Sequence, residues 1–268
     1  MHVISFCNQK GGTGKTSVTS NTAAFLSNLK KNKRILLIDL DAQGHTTYLM
    51  YKDPDELNEE ETISMLFQDK EYKAKDIIHQ TRFKNVEIIP SNFLLTGTKV
   101  RINELTDRLW RVWRFLKLFN RFYDYVLIDT PPDLDIFLMN ALHASDYTII
   151  PTDLETLAVR GINDLMYTIE NVQKKKRERV GEDLRILGIL PNKLNKRYKT
   201  HINILANLKE KFGSGLLEDQ QIGTNATLVR AYEHGQTIFE YSKTARSYKQ
   251  YKLLTQWLIE RLNNETGE

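Results

Sequence analysis

The apolar run His2–Cys7 passes directly into Asn8-Gln-Lys-Gly-Gly-Thr-Gly-Lys-Thr16, and a helix-compatible stretch follows from Ser17 to Leu29. Few folds accommodate a buried strand, a glycine-rich turn and a helix in that order. Gly11, Gly12 and Gly14 have no Cβ to fend off an incoming oxygen, so the backbone can close around phosphate with its N–H groups pointing inward, and the helix start adds positive potential. This is the context of a P-loop: Lys15 can reach the β- and γ-phosphates of a nucleotide, and the Thr16 hydroxyl is placed to ligate Mg2+. The alternative is a glycine-rich turn with two surface lysines; strand, loop and helix in sequence argue for the phosphate site.

Further along, Arg34–Asp39, Val86–Pro90, Tyr125–Asp129, Tyr147–Pro151 and Leu184–Leu190 are short β-branched or leucine-rich runs separated by longer stretches of helical period. Such alternation means βα units around a mostly parallel, twisted sheet with helices on both faces, an α/β class. Ala158, Ile162, Leu165, Ile169 and Val172 recur at steps of three and four, as do Leu105, Leu109, Val112, Leu116 and Phe119, so each set predicts one helix face packed on the sheet. The acidic segment Asp53–Glu61 carries Pro54, which predicts an exposed loop ahead of a short helix near Thr62–Phe67. With no internal repeat, low-complexity tract or Gly/Ser linker, the chain reads as one domain, 1–268, with no helix-turn-helix region ahead of the first strand.

Two strands end on carboxylates, in Leu36-Leu-Ile-Asp-Leu-Asp-Ala-Gln-Gly44 and Val126-Leu-Ile-Asp-Thr-Pro-Pro132. Ligands bind at the carboxyl edge of an open α/β sheet, so Asp39, Asp41 and Asp129 are expected to converge on the glycine loop. Asp129, after an apolar strand, reads as the carboxylate that holds Mg2+ through water, with Thr130-Pro-Pro132 as a switch segment beside the γ-phosphate. Asp39 and Asp41 point the same way if the strand persists, and a turn would re-aim the second. Capping a loop or helix is the alternative for any one of them. No Ser/His/Asp constellation is evident, and the six histidines show no metal-ligand spacing. The chemistry indicated is in-line attack of water on a γ-phosphate, without a covalent intermediate.

Gln9 stands where the common G-x-x-x-x-G-K-[ST] pattern has its first glycine, and the string Lys10-Gly-Gly-Thr-Gly-Lys-Thr16 resembles the deviant P-loop of the ParA/MinD family. The resemblance implies a single-domain P-loop NTPase whose Lys10 crosses to a partner subunit's nucleotide, so that Lys10 in trans and Lys15 in cis both stabilise the transferring phosphoryl group. It also implies that Asp41 positions the attacking water and that Asp39 meets magnesium through an intervening ligand, which makes Thr16, Asp39 and Asp129 the metal set. After Pro191-Asn-Lys-Leu, Asn195 stands where guanine readers carry an aspartate; an amide cannot accept from both guanine N–H groups, which favours ATP over GTP. In the family, residues after this strand and in a later loop flank adenine, here Asn192 and the neighbourhood of Ile222–Thr224, with an ordinary turn as the alternative. The nucleotide set is therefore Lys10, Gly11, Gly12, Thr13, Gly14, Lys15, Thr16, Ser17 and Asn192.

Similarity to the ParA/Soj group continues through Ile89-Pro-Ser-Asn92, Asp153-Leu-Glu-Thr-Leu-Ala-Val-Arg-Gly161 and Ile222–Gly235. It implies a slow, partner-stimulated, Mg2+-dependent ATPase that forms a homodimer with ATP, binds DNA non-specifically and acts with a ParB-like partner in plasmid or chromosome segregation, in the cytoplasm on the nucleoid. The Soj-like group binds DNA through arginines of the loop after Asn225; Thr224 and Thr227 occupy the corresponding places, and Arg230 is the candidate substitute. Lys243, Arg246, Lys249 and Lys252 recur at threes on one possible helix face that could track phosphates, with a solvated helix surface as an equal alternative. A formal charge of +4 is too mild to decide between them.

A MinD-like membrane-associated positioning ATPase is the rival, but it needs a basic amphipathic C-terminal anchor. Tyr251, Leu254, Leu258 and Leu262 instead form a stripe suited to packing on the sheet, and Asn263–Glu268 is acidic, so no stable membrane association is expected. No export pattern opens the chain. The single cysteine, Cys7, permits neither an internal disulfide nor a cysteine-rich metal cluster within one chain and reads as core packing.

Overall fold

The computed structural model describes residues 1–51, 53–68, 70–102 and 107–266. In chain order its elements are β1 (His2–Phe6), α1 (Lys15–Leu29), β2 (Ile35–Asp39), α2 (His45–Met50), α3 (Ala74–Ile77), β3 (His79–Gln80), β4 (Val86–Ile89), α4 (Leu95–Arg101), α5 (Arg111–Lys117), β5 (Tyr125–Asp129), α6 (Ile136–Ala144), β6 (Tyr147–Asp153), α7 (Ala158–Val180), β7 (Arg185–Asn192), α8 (Lys199–Phe212), α9 (Ala226–Glu233), α10 (Ile238–Tyr241) and α11 (Arg246–Thr266). The strands form one seven-stranded sheet of order β3-β4-β2-β5-β1-β6-β7. Every pairing is parallel except β3 with β4. The α/β class expected from the alternation is therefore the fold.

The apolar runs form strands because both faces of the sheet are covered. Along β2, Ile35 and Leu37 point to one face and Leu36 and Ile38 to the other, all fully buried. The first face receives Val18, Phe25 and Leu26 of α1 and Leu254, Leu258 and Leu262 of α11. The second receives Val112 and Phe115 of α5 and Phe137 and Ala141 of α6. A third cluster packs Ile162, Leu165, Ile169 and Val172 of α7 with Ile150 and Ile189 of β6 and β7. Each of these buried Val, Leu, Ile and Phe side chains contributes roughly 1.5–3 kcal/mol relative to exposure. Cys7 is buried with its thiol 3.0 Å from the Thr148 hydroxyl, and burial pushes its pKa up to about 11, as suits a packing residue.

Two expectations need correction. The stripe Leu105–Phe119 is not one helix: Asp107 has φ 59°, α5 begins only at Arg111, and Phe119 lies in the turn after it. Leu105 falls outside the described residues. Val112, Phe115 and Leu116 still pack on the sheet. Lys243 precedes α11, so it does not share a helix face with Arg246, Lys249 and Lys252. The acidic segment forms short 3-10 turns at Pro54–Glu56 and Glu59–Glu61, and the helix expected near Thr62–Phe67 is a 3-10 helix at Ile63–Phe67.

Candidate active site

β1 lies between β5 and β6, with β2 beyond β5, so the loops leaving β1, β2 and β5 open onto one edge. There a cavity of about 370 Å³ is lined by Gly12, Lys15, Thr16, Asp41, Pro132 and Lys193, among others. Gly12 and Gly14 have φ of 77° and 91°, a left-handed path that side chains with a Cβ resist. Gly14 is the N-cap of α1 and no side chain caps that helix, which leaves first-turn N–H groups facing the cavity for an anion. Two asparagines brace the loop. Asn8 Nδ2 donates to Pro151 O over 2.8 Å while its Oδ1 accepts from Lys10 N, and Asn192 Nδ2 donates to Thr13 O over 2.8 Å while its Oδ1 accepts from Lys193 N. Asn192, expected beside adenine, is thus packed against the glycine loop, where a Cβ on Gly14 would stand 2.1 Å from its Nδ2.

Lys15 is 6% exposed, and its ammonium donates to Lys10 O over 3.1 Å. Burial lowers its pKa, against the pull of Asp129 and Asp41. Lys10 points elsewhere. Its ammonium lies 2.8 Å from Asp153 Oδ2 and 2.5 Å from Glu155 Oε2 of its own chain. Burial opposes its charge, but the two carboxylates outweigh that and raise its pKa. Thr13 is fully buried, its hydroxyl 3.4 Å from Lys10 O, and Ser17 lines the cavity.

The three strand-end carboxylates do converge, but their surroundings differ. Asp129 is fully buried: its Oδ2 accepts from the hydroxyls of Thr16 at 2.8 Å and Thr46 at 2.7 Å, and its Oδ1 from Thr130 N at 3.0 Å. Burial pushes its pKa up to about 6, although the Thr46 and Thr16 hydroxyls hold it down. Asp39, equally buried, accepts from Asp41 N through Oδ1 and from both the N–H and the hydroxyl of Thr47 through Oδ2. Burial, with Asp129 and Asp41 nearby, holds its pKa well above the usual carboxylate range. Asp41 accepts only from Gln43 N, through Oδ1, and its other oxygen has no protein donor among the described residues. Asp39 and Asp129 are thus fixed by the protein, and Asp41 is the carboxylate left to act on something in the cavity. A hydroxyl and carboxylate oxygens form a hard donor set that fits Mg2+.

Thr46, Thr47, Asn8, Asp153 and Glu155 were not found by sequence reasoning. The two threonines open α2 just after the Asp39–Gln43 segment, and donors beside buried carboxylates were the available signal. Asp153 lies 143 residues from Lys10, and nothing local linked them. Among the DNA candidates, Arg230 is exposed on α9, and Lys243, Arg246 and Lys249 are exposed at or before the start of α11. No group of three His, Cys, Asp or Glu side chains is placed to hold a metal among the described residues, and no helix among them is long and apolar enough to cross a membrane.

Residues 1–182 match a family described as an AAA domain. The chain is 32% identical over 249 residues to the sporulation initiation inhibitor protein Soj of Bacillus subtilis, covering 93% of this chain and 94% of that one. It resembles cobyrinic acid a,c-diamide synthase of Mycobacterium smegmatis, solved with an ATP analog and magnesium, at 29% identity and a TM-score of 0.71 over 80% of this chain and 83% of that one. A Borrelia burgdorferi B31 protein bound to AMPPNP, a candidate plasmid partition protein, superposes with a TM-score of 0.74 at 25% identity over 97% and 98% of the two chains. With the glycine loop, Lys15, Thr16 and Asp41 arranged around one cavity, Asp129 bonded to Thr16, and a Soj relative matching along nearly the whole length, this chain belongs to the ParA/Soj family of P-loop ATPases.

Proposed function

We propose that this protein is a partition ATPase: it binds ATP with Mg2+ in the β1–α1 loop, hydrolyses it slowly, dimerises in the ATP state, binds DNA without sequence preference and is stimulated by a ParB-like partner. The observation that carries the reading is the convergence of Lys15, Thr16 and Asp41 on one cavity, with buried Asp129 held by Thr16 at its edge. The amides of the loop and the first turn of α1 would receive the phosphate oxygens, and Lys15 would neutralise them. Thr16 and Asp129 would hold the metal, with Asp39 fixing the segment that carries Asp41 through its bonds to Asp41 N and Thr47. Bound there, Mg2+ supplies charge stabilisation at the phosphates. Asp41 would orient the attacking water, and Lys10, released from Asp153 and Glu155, would serve the nucleotide of a second copy.

For DNA, Arg246 begins α11 and Lys249 follows in its first turn, which has no acidic residue. Positive side chains are unfavourable there by roughly 0.3–1 kcal/mol each, an arrangement that suits an external anion such as a phosphate backbone. Arg230 and Lys243 are the further candidates. A MinD-type anchor finds no support in α11, because Tyr251, Leu254, Leu258 and Leu262 are buried against the core.

The test is phosphate release with Mg2+ and with a chelator, alongside light scattering in ADP and in a non-hydrolysable ATP analogue. Metal-dependent turnover and a dimer only with the analogue are expected. No turnover in any condition and a monomer in both nucleotides would sink the reading.

A further inference from the structure

Asn192 is followed by a residue in an unusual conformation. Lys193 has φ 54°, one of two non-glycine residues with positive φ among those described. Left-handed backbone is uncommon for a lysine and persists where the surroundings impose it, often beside a ligand. Here they do impose it. Lys193 N donates to Asn192 Oδ1 over 2.8 Å, Asn192 Nδ2 is fixed to Thr13 O, and Leu194 N donates to Ile222 O over 3.0 Å. The turn is thereby fastened both to the glycine loop and to the segment before α9.

The consequence is where the side chain goes. Lys193 Nζ stands 3.9 Å from the point a Cβ on Gly12 would occupy, and the residue lines the same cavity as Lys15, Thr16 and Asp41. Three lysines therefore surround the loop in different states. Lys15 is buried and bonded to Lys10 O, and Lys10 is paired with Asp153 and Glu155. Lys193 is exposed, and its ammonium makes no hydrogen bond or close ion pair among the described residues. Its charge is felt by Glu155, whose pKa is lowered chiefly by Lys10 and further by Lys193. An unpaired ammonium held over phosphate-seeking amides by a strained turn is arranged for an anion rather than for folding.

We propose that Lys193 contacts the phosphate chain of the bound nucleotide in cis, from the solvent side of the glycine loop, as a cation additional to Lys15. This rests on the nucleotide reading of the cavity. The test compares Lys193→Asn, Lys193→Gly and Lys193→Arg with the unaltered protein, measuring affinity for ATP with Mg2+ and for adenosine by competition against a fluorescent ATP analogue. Asn and Gly both tolerate left-handed backbone, so these variants remove the ammonium without forcing the turn. ATP affinity is expected to fall about five- to tenfold in both, with adenosine affinity unchanged and Lys193→Arg close to the unaltered protein. ATP binding at full strength in the Asn and Gly variants, or an equal loss for ATP and adenosine, would overturn the assignment while leaving the ATPase reading intact. Failure of the unaltered protein to bind ATP would instead overturn both.

Discussion

The Lys10 ammonium lies 2.8 Å from Oδ2 of Asp153 in its own chain, although the family resemblance assigns that lysine to a partner's nucleotide. A lysine cannot serve both, so under the proposed dimerisation the Asp153–Glu155 pair would act as a restraint to be undone. Glu155 is the more exposed member, with 65% of its side chain accessible against 10% for Asp153, and can be altered with little effect on folding. Glu155→Gln is expected to lower the concentration for half-dimerisation in a non-hydrolysable ATP analogue roughly two- to fivefold, the range of an exposed ion pair. Sedimentation velocity reads it out; an unchanged or weaker dimer would show that the pair does not restrain Lys10.

Of Asp39, Asp41 and Asp129, only Asp41 has an oxygen without a protein donor among the described residues, while Asp39 and Asp129 each accept three hydrogen bonds. Asp41→Asn can keep an acceptor oxygen for Gln43 N while removing the charge and turning the other oxygen into an N–H2 donor. Turnover is expected to drop about 100-fold or more, with ATP affinity within about twofold of the unaltered protein. Phosphate release under saturating ATP checks the first, and direct titration the second. Retained turnover would remove Asp41 from the catalytic step.

The strands were legible because a sheet covered on both faces needs uninterrupted apolar runs, which His2–Cys7 and Tyr125–Asp129 supply. β3 was not, because His79–Gln80 has two residues and no period can be read from two. The Leu105–Phe119 pattern was misleading for a different reason: spacing reports which side chains seek the core, and Asp107 in left-handed backbone interrupts the helix without disturbing that spacing. At the site, glycines, lysines and strand-end aspartates could be found because phosphate chemistry fixes their order along the chain. The hydroxyls and ion-pair partners around them could not, since Asp129 meets Thr46 and Lys10 meets Asp153 only through the sheet.

Thr46 has no exposed surface, and its hydroxyl supports Asp129 Oδ2 and lies 3.3 Å from Ser20 Oγ. Thr46→Val keeps the shape and deletes both contacts. The buried carboxylate is then left with one hydroxyl donor on that oxygen, which is expected to cost about 1–3 kcal/mol of stability. It also moves the Asp129 pKa further above about 6, because the Thr46 hydroxyl is the chief influence holding it down. Urea denaturation without nucleotide measures the loss, and an unchanged midpoint would mean the Thr46 bond makes no net contribution.

His143 offers a pH test away from the nucleotide. Its ring is fully buried, Nδ1 donates to Met139 O over 2.7 Å, Nε2 has no partner among the described residues, and Trp110 stands edge-on at 4.6 Å between ring centres. Burial lowers its pKa to about 4; the Met139 contact opposes this, and Lys175, Lys176 and Arg179 add to it. The folded state therefore resists protonation that the unfolded chain accepts near 6.5. Stability from the neutral ring is complete above about 6.5 and is lost as pH falls toward about 4, on the order of 2 kcal/mol between pH 7.5 and 5. Asp39 and Asp129 have raised pKa values and push the other way over part of that range, so neither curve alone is decisive. The quantity to measure is the difference between the unaltered protein and His143→Gln, which retains a donor for Met139 O but cannot titrate. That difference should shift by about 2 kcal/mol in favour of the variant on acidification, and a pH-independent difference would show that the fold leaves the His143 pKa unshifted.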